Sequence, residues 1–231
     1  MTLEKIIDKG EYLFESNSSL YFLQWVNGKK ENFFCYKDTL KQIEEVEFLN
    51  AITPNWEKIQ NHLKFPLHDY CFAQAPNGAM FFQNYQNGIL HNFDKIGNFK
   101  SSTNLDELFN CGHAIYSIQF EAPNFLWLAF PTGQTVSKLD LSTNQEVFKI
   151  GEYTFDDVFD PLNYPEAIFI NGKSLYISNM GNSTVNHLDL NNYNLTIKHI
   201  DFPSKVWEFT QVNNDSYVRL ANGIFKIKNV R

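Results

Sequence analysis

The sequence predicts an all-β fold in which five four-stranded antiparallel units close into a ring. Three observations predict it. A strand–turn–strand unit recurs five times, its copies are spaced roughly 40 to 60 residues apart, and residues 2–8 form a strand-like segment outside these copies. One four-stranded sheet cannot bury both of its faces, so stacked copies in a closed ring are favoured. We expect one domain, 1–231.

The repeat is clearest in two segments, 135–141 and 184–190, that share the pattern Thr-Val-x-x-Leu-Asp-Leu. Each segment follows a short apolar strand that contains an aromatic residue, and the same pair of strands occurs at three other places. The aromatic residues of the five copies are Tyr21, Phe81, Trp127, Tyr176 and Tyr217. Aromatic residues favour strands and bury large areas, so the 22 Phe and 11 Tyr predict a large β core.

A third strand is predicted before each pair, and a fourth after most pairs. The preceding strands are predicted at 11–14, 69–73, 116–120, 166–170 and 207–212. Turns rich in Asn, Gly and Pro separate these strands from the pairs, as tight hairpins require. The following strands are predicted at 40–48, 146–150 and 195–200, with a weaker one near 96–99.

The two chain ends indicate how the ring closes. The last unit reaches Arg231 without a fourth strand, and the segment 2–8 precedes the first unit. We therefore expect the N-terminal strand to complete the last unit, which gives a five-bladed β-propeller. A six-bladed ring is the alternative, and it needs a further blade between about 40 and 68. Five blades are favoured because a helix is predicted within that stretch.

Three inter-blade segments are expected to decorate one face. A helix is predicted at 53–64, where Thr53 can cap it and Pro54 fits the first turn. A second, short helix is predicted at 104–109 with Asn104 as its cap. The third segment, 151–164, is acidic and aromatic and is expected to be a loop. Four aromatic residues of these segments are candidate anchors for a protein partner: Trp56, Phe109, Phe155 and Phe159.

Composition excludes several classes of function. The net charge is −7 and no basic stripe is present, so nucleic acid is not expected as a ligand. No segment approaches the roughly 18 apolar residues of a membrane span, and the first residues do not form a signal peptide. We expect a soluble, cytoplasmic monomer that does not bind membranes. Its three cysteines, Cys35, Cys71 and Cys111, are expected to be reduced.

One blade carries a specific resemblance. Residues 164–190, YPEAIFINGKSLYISNMGNSTVNHLDL, resemble a blade of the NHL-like and gluconolactonase-like β-propeller superfamily. The matching positions are Pro165, Ala167, Asn179, Gly181, Asn182, Val185 and Asp189. Residues 115–150 match moderately, and the rest of the chain matches in outline. His187 does not correspond to the histidine of that repeat.

Acidic residues mark the predicted starts of four inner strands. They are Glu11, Asp69, Glu166 and Glu208, and His113 lies just before the fifth inner strand. Because inner strands begin at one rim of the central channel, these side chains are candidates for a ligand site there. Converging carboxylates either take up protons or gather a cation, and oxygen ligands suit Ca²⁺ or Mg²⁺. The alternative is that these acids cap strand ends in solvent.

Three functions remain open. Motifs of common catalytic sites are missing, which favours a non-enzymatic module that binds a protein with a basic surface, or a small molecule at the channel mouth. The resemblance to lactonase propellers implies an alternative, a metal-dependent lactonase-like hydrolase with Glu166, Glu11 and Glu208 as metal ligands. A lectin-like sugar binder is the third possibility, although it would need similar sites in every blade.

Overall fold

A computed structural model describes residues 1–26, 29–84, 86–109, 114–152 and 161–228. The first strand is β1 (Thr2–Ile7). Blade 1 contains β2 (Gly10–Ser16), β3 (Ser19–Val26), β4 (Lys29–Tyr36) and β5 (Leu40–Ile43). Blade 2 contains β6 (Cys71–Gln74), β7 (Met80–Gln83), β8 (Ile89–Phe93) and β9 (Phe99–Asn104).

The remaining three blades follow the same order along the chain. Blade 3 contains β10 (Ser117–Glu121), β11 (Phe125–Phe130), β12 (Thr135–Asp140) and β13 (Gln145–Ile150). Blade 4 contains β14 (Pro165–Asn171), β15 (Ser174–Asn179), β16 (Thr184–Asp189) and β17 (Asn194–Asp201). Blade 5 contains β18 (Val206–Val212), β19 (Asp215–Leu220) and β20 (Gly223–Lys228), and its outer strand is β1.

The prediction of a five-bladed β-propeller is confirmed, and so is its closure by the N-terminal strand. Each of the five sheets has four antiparallel strands, and neighbouring inner strands pack together in a ring. β1 pairs with β20 in the register Thr2↔Lys228 to Ile7↔Ile224. The first strand of the chain therefore supplies the outer edge of the last blade, which ties the two ends of the chain together.

The region between blades 1 and 2 differs from the prediction. The strand predicted at 40–48 ends at Ile43, and a helix that was not predicted, α1 (Glu45–Ile52), follows it. The helix forms because its apolar side chains Phe48, Leu49 and Ile52 fall on one face and are buried. The helix predicted at 53–64 is shorter, α2 (Trp56–Gln60), and Thr53 instead caps the end of α1.

The third helix agrees with the prediction. It is α3 (Leu105–Phe109), and Asn104 Oδ1 accepts hydrogen bonds from the backbone N–H groups of Asp106 and Glu107. All three α-helices in the described part of the chain are short. Among the residues that the structure describes, no helix is long and apolar enough to cross a membrane.

The helices between blades 1 and 2 fill a wedge that would otherwise be open. Phe48 and Ile59 are fully buried there, and Phe48 packs against Phe33 of blade 1 with ring centroids 4.8 Å apart. Phe14 of β2 meets Phe72 of β6 edge-on at 5.3 Å. The two blades thus share one aromatic core that includes both helices, so no sixth blade is needed to complete the ring.

Blades 3 and 4 pack directly against each other. Their shared core contains fully buried Trp127, Val136, Ile177 and Leu188. Beside this core lies a buried ion pair, in which Lys138 Nζ is 2.7 Å from Glu121 Oε2. The indole N–H of Trp127 donates to the same carboxylate oxygen at 2.7 Å. This junction therefore combines apolar packing with a small polar network that is satisfied within the protein.

Candidate functional site

The five inner strands surround a central channel of about 330 Å³. Each of β2, β6, β10, β14 and β18 contributes wall residues, for example Tyr12, Cys71, Ser117, Ala167 and Thr210. At one end the channel opens into a cavity of about 540 Å³. We call this cavity the channel mouth and define it by Glu11, Trp25, Asp69, Tyr116, Glu166, Trp207, Glu208 and Arg219.

The structure brings four of the five predicted site residues together. Glu11, Glu166 and Glu208 lie near the starts of β2, β14 and β18, and all three line the channel mouth with Asp69. Asp69 was predicted to begin an inner strand, and this is wrong, because it ends a 3₁₀ turn (Leu67–Asp69) before β6. The prediction for His113 falls within 110–113, outside the described residues.

Irregular pairing near the starts of two inner strands, β14 and β18, helps to place these side chains. The register shifts between Pro165 and Ala167 in β14, so Glu166 is an extra residue opposite β15. The same shift between Val206 and Glu208 makes Trp207 the extra residue of β18. A bulge turns its extra side chain away from the regular alternation of the strand. In blades 4 and 5 it places Glu166 and Trp207 at the channel mouth.

Glu208 is held by partners within the protein. Its Oε2 atom lies 2.5 Å from Arg219 Nε and accepts a hydrogen bond of 3.3 Å from the backbone N–H of Leu13. The guanidinium carbon of Arg219 lies 5.2 Å from the centroid of the Trp207 ring. Because Leu13 belongs to blade 1 and Glu208 to blade 5, this carboxylate also links the two blades where the ring closes.

Glu166 is in the opposite situation. It is only 9% exposed, and its carboxyl group makes no hydrogen bond within the part of the chain that the structure describes. Burial raises the pKa of Glu166 to about 7, while Arg219 lowers it and Glu208 raises it further. The side chain is therefore a buried carboxyl at the channel mouth that carries a proton below neutral pH and ionises near it.

The metal site predicted at Glu166, Glu11 and Glu208 stays a prediction. Among the described residues, no group of three or more His, Cys, Asp or Glu side chains is arranged to hold a metal ion. The physical reason is the ion pair of Glu208 with Arg219, since a guanidinium already supplies the positive charge that a Ca²⁺ or Mg²⁺ ion was expected to bring.

Sequence reasoning missed Arg219, although the sequence contains a signal for it. Val212 pairs with Asp215 across the two-residue turn Asn213–Asn214, and this register places Glu208 directly opposite Arg219. Opposite charges at facing positions of a hairpin attract each other. Pairing the predicted strands 207–212 and 215–220 through that turn would have placed the two residues together.

Aromatic side chains form part of the wall and were also missed. Trp25 at the end of β3 is 39% exposed, Tyr116 just before β10 is 43% exposed, and Trp207 is half-buried. Of the predicted anchors, Trp56 and Phe109 instead pack against the apolar cores of blades 1 to 3. Phe155 and Phe159 lie outside the described residues. Exposed aromatic side chains therefore line the channel mouth, whereas Trp56 and Phe109 are packed against the core.

Comparison with known proteins supports the fold. No protein-family model matches the sequence, and no curated protein matches it. The structure is similar to the WD40 β-propeller domain of Doa1, with a TM-score of 0.54, 11% identity, and coverage of 95% of this chain and 63% of that chain. It is similar to a streptogramin B lyase, with a TM-score of 0.53, 13% identity, and coverage of 95% and 64%.

A third similar structure is virginiamycin B lyase from Staphylococcus aureus, with a TM-score of 0.52 and 12% identity, over 96% of this chain and 66% of that chain. The chain thus matches slightly less than two thirds of the length of each of these three proteins. The structural similarity establishes a common β-propeller fold, as the resemblance of residues 164–190 implied. Because the sequence identities are this low, the similarity does not indicate a shared function.

Proposed function

We propose that this β-propeller is a non-enzymatic binding module that holds its ligand at the channel mouth. The observation that supports the proposal is Glu166, a carboxyl that is 9% exposed, has no hydrogen-bond partner among the described residues, and lines an open cavity. The Glu166 oxygens are not among the fully buried, unsatisfied side-chain atoms of the described residues, so they are reached from the cavity, where a ligand can contact them. Exposed aromatic walls beside it add the apolar surface typical of binding pockets.

A protein partner with a basic surface fits the face on which the mouth opens. Glu45, at the start of α1, has its Oε1 atom 3.5 Å from Nδ1 of His68, which lines the mouth. Glu45 therefore lies beside the acidic channel mouth, while Glu47 of the same turn has Lys41 Nζ 3.7 Å from its Oε1 atom. Complementary charge would draw a basic segment to this face and speed its association.

The hydrolase alternative is not supported. A lactonase-like mechanism was expected to need a divalent cation at Glu166, Glu11 and Glu208, and the part of the chain that the structure describes contains no group of three such side chains arranged around one point. The lectin-like alternative is not supported either. The blades contribute chemically different residues to the mouth, such as Trp25, Asp69, Tyr116 and Glu166, whereas a lectin-like ring would repeat one set.

The four tryptophans of the chain provide a test that needs no known ligand. In protein labelled with ¹⁵N-tryptophan, each indole N–H gives one NMR signal, and Trp25→Phe and Trp207→Phe variants assign the two signals of the mouth. We expect small molecules from a chemically mixed library to shift the signals of Trp25 and Trp207. Trp127, which is fully buried, and Trp56, which is partly buried against the core, are internal controls.

A library in which no compound shifts the Trp25 or Trp207 signal would contradict the proposal. Shifts confined to Trp56 or Trp127 would also contradict it, because they would place the ligand elsewhere. All four indole signals appear in the same spectrum, so each compound is scored at the mouth and at the control sites together. Unchanged Trp56 and Trp127 signals also show that the protein in that sample is folded.

A further inference from the structure

The charges at the channel mouth favour a positively charged guest. Four acidic side chains line the cavity, namely Glu11, Asp69, Glu166 and Glu208, and Arg219 and the partly buried His68 face them from the same cavity. Lys9 lies on the adjoining rim. Since the Glu208 carboxylate is paired with Arg219, this pair adds no net charge. The carboxyl that remains buried without a hydrogen bond in the described structure is Glu166.

The aromatic side chains of the mouth favour the same kind of guest. The face of an indole or phenol ring attracts a cation, and the attraction is stronger where water is partly excluded. Trp25, Tyr116 and Trp207 come from three different blades and line one cavity. Arg219 already uses the Trp207 ring in this way, at 5.2 Å. A second cation beside Glu166 would meet the ring surfaces of Trp25 and Tyr116, which are 39% and 43% exposed.

We propose that the channel mouth binds an alkylammonium group, with Glu166 as its counter-ion and the exposed aromatic rings as its walls. This inference rests on the proposed binding function and specifies its ligand class. One guest carries one positive charge, because one buried carboxyl lacks a partner. A butyl-sized chain behind the ammonium is long enough to contact the rings, and such a chain occurs both in free amines and in lysine side chains.

Binding of the guest is coupled to the protonation of Glu166. Burial raises the pKa of this carboxyl to about 7, Arg219 lowers it and Glu208 raises it further. Near neutral pH, the Glu166 carboxyl must therefore lose its proton to solvent before it can pair with the guest. The guest binds the ionised form, and the affinity should therefore rise about tenfold between about pH 6 and pH 8. The ammonium group itself stays protonated over that range.

The test uses three probes of equal length that differ in charge: n-butylammonium, n-butanol and butyrate. Each is titrated against the folded full-length protein, with the Trp25 and Trp207 indole signals as the readout. We expect n-butylammonium to bind at least about tenfold more tightly than n-butanol, and butyrate to bind more weakly than either. Glu166→Gln should weaken n-butylammonium binding about tenfold, remove its pH dependence and leave n-butanol binding unchanged.

Glu146→Gln is the matched control, because it removes the same charge from an exposed residue of the outer strand β13. It should leave all three affinities unchanged. A loss of n-butylammonium binding in Glu146→Gln equal to that in Glu166→Gln would overturn the inference, since the effect would then follow from net charge alone.

The source of the alkylammonium is distinguished by a further arm, a capped peptide with a single central lysine flanked by glycines. Binding of the peptide much more tightly than n-butylammonium indicates a protein segment, and equal binding indicates a free amine. If n-butanol or butyrate binds at the mouth as tightly as n-butylammonium, the cation inference fails while the binding function stands. The Trp25 and Trp207 signals could also stay unshifted with all three probes, with the peptide and with every compound of the mixed library. In that case both the cation inference and the proposed binding function fail.

Discussion

Two glutamates in neighbouring blades, Glu121 and Glu166, are largely shielded from solvent, but their carboxyl groups have different surroundings. The carboxylate of Glu121 is met by Lys138 and by the indole of Trp127, both at 2.7 Å. Lys138 also donates to the Tyr193 hydroxyl at 3.0 Å and lies 4.1 Å from the centroid of the Phe125 ring. Every group of this network has a partner inside the protein.

Glu166 is 9% exposed, but its carboxyl faces the channel mouth without a hydrogen bond from the described residues. The two carboxyl groups therefore have different roles, one structural and the other in ligand binding. A charge that is closed by its own partners fixes the packing of two blades, whereas a carboxyl left open toward a cavity is available to a ligand. The positions of acidic residues in the sequence do not show which of these two roles a given carboxyl has.

The largest effect is expected at the closed network. Lys138→Met should destabilise the protein by about 3 to 5 kcal/mol, because it leaves the Glu121 carboxylate buried without its cation. Chemical denaturation measures this loss. The matched control is Lys226→Met, which removes the partner of the half-exposed Asp215 and should cost about 1 kcal/mol or less. Equal losses of unfolding free energy in the two variants would show that the network around Glu121 contributes no more to stability than an exposed ion pair.

An intermediate effect is expected for Arg219→Met at the mouth. The pair of Arg219 with Glu208 is about one fifth exposed on each side, so its loss should cost about 2 kcal/mol, less than a fully buried pair. Because Arg219 lowers the pKa of Glu166, the variant should also raise that pKa above about 7. Denaturation and an NMR titration of Glu166 measure the two effects, and an unchanged titration would show that Arg219 does not act on Glu166.

The smallest effect is expected for Glu166→Gln, and it depends on pH. The folded protein holds the Glu166 proton up to about pH 7, whereas the unfolded chain releases it near the ordinary value of 4.5. Wild-type stability should therefore fall between about pH 4.5 and pH 7, by about 1 to 2 kcal/mol after allowance for solvent at the mouth. The variant should lack this loss, so it should be the more stable protein at about pH 8 and equal at about pH 4.

A constant difference between Glu166→Gln and wild type across this pH range would contradict the prediction. Glu146→Gln, on the exposed face of β13, is again the control, and its difference from wild type should be small at every pH.

Much of the fold could be predicted because β-blades have local signals. The alternation of apolar residues and the Asn- and Gly-rich turns located the five units, and the missing fourth strand of blade 5 predicted its completion by residues 2–8, now seen in β1 and β20. The length of β5 could not be predicted from its own residues. The stretch 40–48 divides between a short strand and α1 because Phe48 packs in the wedge between two blades, a tertiary effect.

The channel mouth could be predicted only in part. Strand starts placed Glu11, Glu166 and Glu208 at one rim, since the repeat fixes which residue begins each inner strand. Predicting that Glu208 pairs with Arg219 required the register of the hairpin formed by β18 and β19. Predicting that Trp25 lines the mouth required knowing how the blades pack around the channel. Glu166 makes no hydrogen bond with the described residues because the surrounding blades place no donor beside its carboxyl. A local sequence pattern cannot predict this, since it depends on the packing of several blades.

The central claim is that Glu166 is a buried carboxyl kept open for a cation, and one NMR titration tests it directly. Protein labelled with ¹³C at the glutamate carboxyl carbons is titrated from about pH 4 to pH 9, alone and with saturating n-butylammonium. We predict one signal, absent in Glu166→Gln, with a midpoint near pH 7 that moves to lower pH when the ligand is added. A Glu166 midpoint at its ordinary value near 4.5, unmoved by the ligand, would contradict the claim.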